Sequence, residues 1–366
     1  MFLSYKILKM NKKFQFSNFS LASLIFFLLF ISCSRNGDGN GGTDTSTPSN
    51  LKIVANIVGK TDANPNGDGS GVVNFTVTAD NATSYKLLVG TETLTSTNGS
   101  FSYTFTNPGT NTYTVYVSAY KGEKFISGNT TVTVYKAPTL LWADEFNTDG
   151  LPNSSNWGYD TGNNNGWGNN ELEYYTNRQE NAYVSNGTLK INLIKEPYQG
   201  FNYTSARLLS KGKFSFKYGR VDIRAKLPAG GGTWPALWML GDNISTAGWP
   251  ACGEIDIMEH VGNQLNKIYG TLHHPGHSGA NGDGATVNIS NATTEFHVYS
   301  LDWSPTQIKF YVDNQLFYTF ANNSTLPFNQ NFFLIFNVAM GGNFGGVVDP
   351  NFTSSSMEVD YVRVYQ

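Results

Sequence analysis

Gly253-Glu254-Ile255-Asp256-Ile257-Met258-Glu259-His260 sets three carboxylates in an otherwise apolar run rich in β-branched residues. Such side chains are stiff at χ1 and fit a pleated backbone, so the run reads as a strand. Side chains alternate faces along a strand, which puts Glu254 and Asp256 on one face and Ile255 and Ile257 on the other, toward a core. Glu259 breaks that parity, because strict alternation would put Met258 on the acidic face. One extra residue repairs it. The sequence therefore predicts a β-bulge at about Ile257-Met258 that returns Glu259 to the side of the other two acids.

Three acids on one face cost free energy unless a site uses them, and cleavage of a glycosidic bond has that use. Retaining hydrolysis needs two carboxyl groups about 5–5.5 Å apart, one ionised to attack the sugar and one protonated to donate to the leaving oxygen. Four strand steps separate Glu254 and Glu259 by about 13 Å at Cα, and two side chains leaning together close most of that gap. Asp256 between them can hydrogen-bond one Glu, while its charge helps hold the other's proton on. The competing reading is a solvated polar edge strand.

Glu254-Ile255-Asp256-Ile257-Met258-Glu259 resembles the catalytic signature of glycoside hydrolase family 16, and its context resembles the laminarinase branch of that family. Trp234-Pro235-Ala236-Leu237-Trp238-Met239-Leu240, Asn165-Gly166-Trp167-Gly168-Asn169-Asn170-Glu171 and Thr204-Ser205-Ala206-Arg207 carry the same resemblance, which runs from about Leu141 to Gln366. It implies an all-β, jelly-roll sandwich with the substrate cleft on its concave side. Carried over by position, Glu254 resembles the nucleophile, Asp256 the assisting acid and Glu259 the acid/base of an endo-β-1,3-glucanase, with some tolerance of mixed β-1,3-1,4-glucan. Arg207, Trp234, Trp238 and His273 resemble glucan contacts. Asn169 and Trp249 lie in or beside the same segments, and a polysaccharide cleft needs planar platforms for pyranose faces plus amide hydrogen bonders, so both join the candidate substrate contacts. Trp142, Trp157 and Trp303 stand among alternating apolar residues and read as core. The resemblance further implies a structural Ca²⁺ held by Glu145, the Gly187 carbonyl and Asp360, whose hard oxygens suit that ion.

Ahead of this region the chain changes character three times. Residues 1–33 hold Lys6, Lys9, Lys12 and Lys13, an apolar stretch from about Phe19 to Ile31, then Ser32-Cys33, which reads as an export signal too short to span a bilayer comfortably. Met10 is an alternative start. Cys33 after a small residue resembles the lipidated cysteine of bacterial lipoproteins, so the protein is expected to be exported and held by lipid at the outer membrane or cell surface, plain secretion and an uncleaved anchor being the rivals. Residues 34–50 are Gly, Ser, Thr, Asn and Asp with almost nothing apolar, a flexible tether. Residues 51–136 alternate in short runs such as Val72-Val73-Asn74-Phe75-Thr76-Val77, separated by turn residues as in Asn64-Pro65-Asn66-Gly67. They read as a small β-sandwich resembling immunoglobulin-like or polycystic-kidney-disease-like modules, either a carbohydrate binder or, as the lack of Trp suggests, a spacer. Lys136-Ala137-Pro138 opens residues 137–366, which hold all seven Trp.

The formal charge of −3 comes from 24 basic and 27 acidic residues with no basic run outside the signal segment, which excludes nucleic acid as a partner. Cys33 and Cys252 are the only cysteines; if the first is lipidated no internal disulfide forms, and the second reads as a small buried hydrophobe. His260, His273, His274 and His277 fit no standard zinc spacing. The chain is expected to act as a monomer on a polysaccharide. Alternatives are an agarase- or carrageenase-like galactan hydrolase, whose sulfated substrates call for cleft cations; a lichenase, which resembles an unbulged form; and a glucan-binding protein that does not cut.

Overall fold

A computed structural model describes residues 46–366. The signal segment, Cys33 and most of the tether lie outside the described residues. Ser49 and Asn50, read above as the end of the tether, already open the first strand, Ser49–Ile57.

The N-terminal module has a three-stranded sheet (Ser49–Ile57, Val72–Asp80, Ser100–Thr104) and a four-stranded sheet (Glu92–Ser96, Ser84–Val89, Gly109–Lys121, Lys124–Lys136). Both face one apolar core. Val73, Phe75 and Val77 from the first sheet meet Leu87, Val115, Val117, Val132 and Val134 from the second, each the inward half of an alternating pattern.

Residues 140–365 form two larger sheets over a separate core. The strands of the sheet that carries the acids are, in chain order, β1 (Gly158–Asp160), β2 (Arg207–Leu209), β3 (Thr233–Gly241), β4 (Glu254–His260), β5 (Lys267–His273), β6 (Asp283–Asn288) and β7 (Phe332–Met340). Their order across the sheet is β6-β5-β4-β3-β7-β2-β1. A ten-stranded sheet covers one face, packing Leu189, Ile191, Val221, Ile223, Leu301 and Val362 against Leu237, Met239, Leu334 and Phe336. Trp157 and Trp303 lie in this core, and Trp142 packs on it with its ring stacked on Phe214 at 4.6 Å. Thr139 and Gln366 exchange two backbone hydrogen bonds of 2.6 and 2.9 Å, tying the start of this region to the chain's last residue.

The bulge in β4 is where parity required it. Against β3 the register runs from Leu237–Met258 to Trp238–Asp256, leaving Ile257 without a partner; against β5, Ile257 and Met258 together oppose Gly270. Ile255, Ile257 and Met258 are all fully buried in the core, so two consecutive side chains point the same way and the alternation restarts one residue later. Burial of each contributes about 1.5–3 kcal/mol, which anchors the irregular register. Gly270 suits its place, since a Cβ there would lie 2.8 Å from both Phe310 and Phe317.

Candidate active site

The face of the seven-stranded sheet turned away from the core lines a cleft of about 1100 Å³. Glu254, Asp256, Glu259, Asn169, Arg207, Trp234, Trp238, Trp249 and His273 all border it. Strand pairing explains the grouping. Glu254 stands opposite Leu240 on β3 and His273 on β5, Asp256 opposite Trp238 and Thr271, and Glu259 opposite Ala236 and Tyr269.

Each acid has its own partners. Trp249 Nε1 donates to Glu254 Oε2 at 3.0 Å from the cleft rim. His273 Nε2 lies 3.2 Å from Asp256 Oδ2 and 3.7 Å from Glu254 Oε1. Trp234 Nε1 donates to Glu259 Oε1 at 3.0 Å, and Thr271 Oγ1 to Oε2 at 3.4 Å. Burial pushes all three carboxyls above their usual range. For Glu254 the charge of Asp256 adds to the rise and that of His273 opposes it; for Asp256 the charge of Glu259 adds; for Glu259 the Trp234 N–H opposes. The charge on each acid therefore depends on the protonation of its neighbours, and the three titrate as one set.

A second layer holds the cleft wall. Arg207 lies between two indoles, its Cζ 4.6 Å from the Trp167 ring and 4.8 Å from that of Trp238, while its Nε donates to Asp160 at 3.1 Å. Trp238 Nε1 donates to Asn337 Oδ1 (2.8 Å), Asn337 Nδ2 to the Tyr175 hydroxyl (3.0 Å), and that hydroxyl to Glu171 Oε2 (3.0 Å), while Asn169 Nδ2 donates to Glu171 Oε1 at 3.2 Å. Behind it Glu173 is fully buried, accepts from the Met340 N–H at 2.6 Å, and is held well above the usual carboxyl range by burial and then by the charge of Glu171. Trp167 has φ 51°, in a region that costs a bulky residue on the order of 1–3 kcal/mol. Asn163 holds its loop by donating to the carbonyls of Glu171 and Glu173 at 3.0 and 2.8 Å.

Glu173, Tyr175, Thr271 and Asn337 escaped the sequence reading. Asn337 had a signal, being the one polar side chain in the apolar run Phe332–Met340, every residue of which is buried. Cys252 is buried, its thiol pushed up to about 11 by burial and then by the charge of Glu254. His260 is buried too, with Nε2 3.1 Å from the Leu265 carbonyl.

The acids suggested for calcium are already committed elsewhere. Glu145 makes a two-pronged pair with Arg363 at 2.7 and 2.8 Å, and Asp360 pairs with Arg224. Gly187 sits between Ala182–Ser185 and Thr188–Tyr198, in the turn that joins those paired strands. An ion there would have to displace two guanidinium groups, so the donor set does not fit calcium as arranged.

The sequence profile of Glycosyl hydrolases family 16 matches residues 169–363. The chain belongs to glycosyl hydrolase family 16. A β-glucanase of Rhodothermus marinus is 47% identical over 249 residues, 63% of this chain and 87% of that protein. The X-ray structure of the laminarinase from R. marinus matches with a TM-score of 0.60 at 46% identity, covering 63% of this chain and 97% of its own. LamA of Z. galactanivorans, solved as a variant in complex with laminaritriose and laminaritetraose, matches at 0.59 with 44% identity over 62% of this chain and 99% of its own. The resemblance to family 16 read from the sequence is thus borne out, and the two-sheet region carries the family's jelly-roll fold.

Proposed function

We propose that this family 16 glycoside hydrolase is an endo-β-1,3-glucanase of the laminarinase type that cleaves with retained configuration. The observation that carries the reading is the bulge in β4, which sets Glu254 and Glu259 on one face with Asp256 between them. Glu254 attacks the anomeric carbon while Glu259 gives its proton to the departing glycosidic oxygen; Glu259 then takes a proton from water as that water releases the glycosyl-enzyme. Asp256, within reach of His273, tunes the charge on both Glu residues.

The wall of the cleft supports a neutral glucan. Its one guanidinium among the described residues, Arg207, is occupied by Asp160 and two indoles, whereas a sulfated galactan calls for free cations along the chain. Trp234, Trp238 and Trp249 offer platforms for sugar rings, and Asn169 and His273 polar contacts. Both Glu residues are in place, which speaks against a binding protein that does not cut. Residues 51–136, of immunoglobulin-like type, act as a spacer between a lipid-bearing Cys33 and a monomeric catalytic domain at the outer membrane or cell surface. A reducing-sugar assay across laminarin, lichenan, agarose and carrageenan tests the reading. Release from laminarin above all others is expected; faster release from agarose or carrageenan overturns it.

A further inference from the structure

Beyond the end of β5 the chain makes a tight turn through Pro275 and Gly276, closed by reciprocal backbone hydrogen bonds of 2.8 and 2.9 Å between His274 and His277. Gly276, at φ 85°, takes the left-handed position this turn needs. The turn stacks the two imidazoles, centroids 4.7 Å apart and planes 19° from parallel. Asp283, the first residue of β6, faces both: its Oδ2 lies 2.9 Å from His274 Nε2 and 3.1 Å from His277 Nδ1. The two imidazole nitrogens lie within 4.8 Å of each other, and none of these residues borders the cleft.

We propose that His274, His277 and Asp283 form a binding site for a late first-row divalent cation, zinc above all. Two imidazoles and a carboxylate suit Zn²⁺, and three protein ligands plus water complete its tetrahedron. Bonds of about 2.0–2.1 Å at tetrahedral angles set ligand atoms roughly 3.3 Å apart, so the two His–Asp separations need open by only a few tenths of an ångström. His274 is buried against the rings of Phe320 and Phe328, an apolar backing that fixes its orientation. The side chain of His277 is 53% exposed, which leaves an entry path and room for the water. The site would staple the β5–β6 hairpin, whose Gly279, Ala280 and Gly282 border the cleft beside His273.

Titration of metal-stripped, tag-free full-length protein with zinc chloride tests this by calorimetry, with Co²⁺ substitution read in the visible spectrum. The expected result is one saturable equivalent, a tetrahedral Co²⁺ d–d band and a melting temperature that rises with zinc until the site fills. His277→Ala, a change at an exposed side chain, should weaken binding at least tenfold and abolish both the band and the thermal shift while laminarin hydrolysis persists. No saturable binding by the parent chain overturns the site, leaving Asp283 as a hydrogen-bonded lock on the turn. Unchanged affinity in His277→Ala also overturns it, because the ion would then sit elsewhere, as on Glu254, Asp256 and His273, the other group among the described residues with ligand atoms close enough together.

Discussion

Trp234→Phe is the most searching change, because it removes one hydrogen bond and keeps an aromatic face. The indole N–H of Trp234 donates to Glu259 Oε1 at 3.0 Å and holds the carboxyl's pKa down against burial. A hydrogen bond to a charged group is worth about 1.5–3 kcal/mol net and one to a neutral group about 0.5–1.5, so losing the donor disfavours the carboxylate by roughly 1 kcal/mol more than the acid. At 1.36 kcal/mol per unit, that raises the pKa of Glu259 by about 0.7 unit. Thr271, at 3.4 Å, remains as a weaker donor and does not change the sign. Glu259 must be protonated for the first step, so kcat/KM falls as pH rises through its free-enzyme pKa. The alkaline limb of the kcat/KM profile on laminarin should therefore move up by roughly half to one unit in the variant, whatever happens to its height. A limb that stays in place or moves to lower pH would show that Glu259 is not the group titrating there, or that Trp234 does not control it.

Four other outcomes can be checked directly. Glu254→Gln and Glu259→Gln should each lose most laminarin hydrolysis with unchanged melting temperature, and azide should partly rescue Glu254→Ala with inverted anomeric configuration. Glu173→Gln copies a neutral acid at a site where the folded state keeps a proton that the unfolded chain releases. The parent's stability should therefore decline as pH rises from the ordinary glutamate range toward the raised folded value, and denaturant melts should show a shallower decline in the variant. A chain beginning at Thr139 should fold and cleave soluble laminarin like the full protein, since Thr139 supplies the pairing to Gln366; a tenfold loss on soluble substrate would make the N-terminal module part of the active unit. Cys33→Ala should move the protein out of the membrane fraction, and its retention there would point to an uncleaved anchor.

Alternation was the most legible property of the sequence. It gave the strand carrying the acids, the need for a bulge and the inward residues of the N-terminal module, because a period of two depends only on local chain geometry. Pairings between distant segments were not legible in the same way. Glu145 and Asp360 look like free oxygen ligands until the fold brings Arg363 and Arg224 beside them. His274, His277 and Asp283 meet only because a turn and a strand register converge, which no spacing rule encodes. The Asn-rich loop before Asn169 was readable as a motif, but the left-handed backbone at Trp167 was not, since a bulky residue there is held by surrounding contacts rather than by its own preference.

The bulge in β4 also bears on how such a strand can change over generations. Gaining or losing one codon inside a buried strand ordinarily turns every later side chain to the wrong face. At Ile257-Met258 the two halves are already joined across one surplus residue, so losing a residue there would leave Glu254 and Glu259 both facing the cleft, still four ladder positions apart, and change only the local twist and the lean of their side chains. The buried core would lose one side chain. This position is therefore a place where length variation can be tested by selection without inverting the strand, and where altered acid orientation, hence altered substrate fit, is one deletion away.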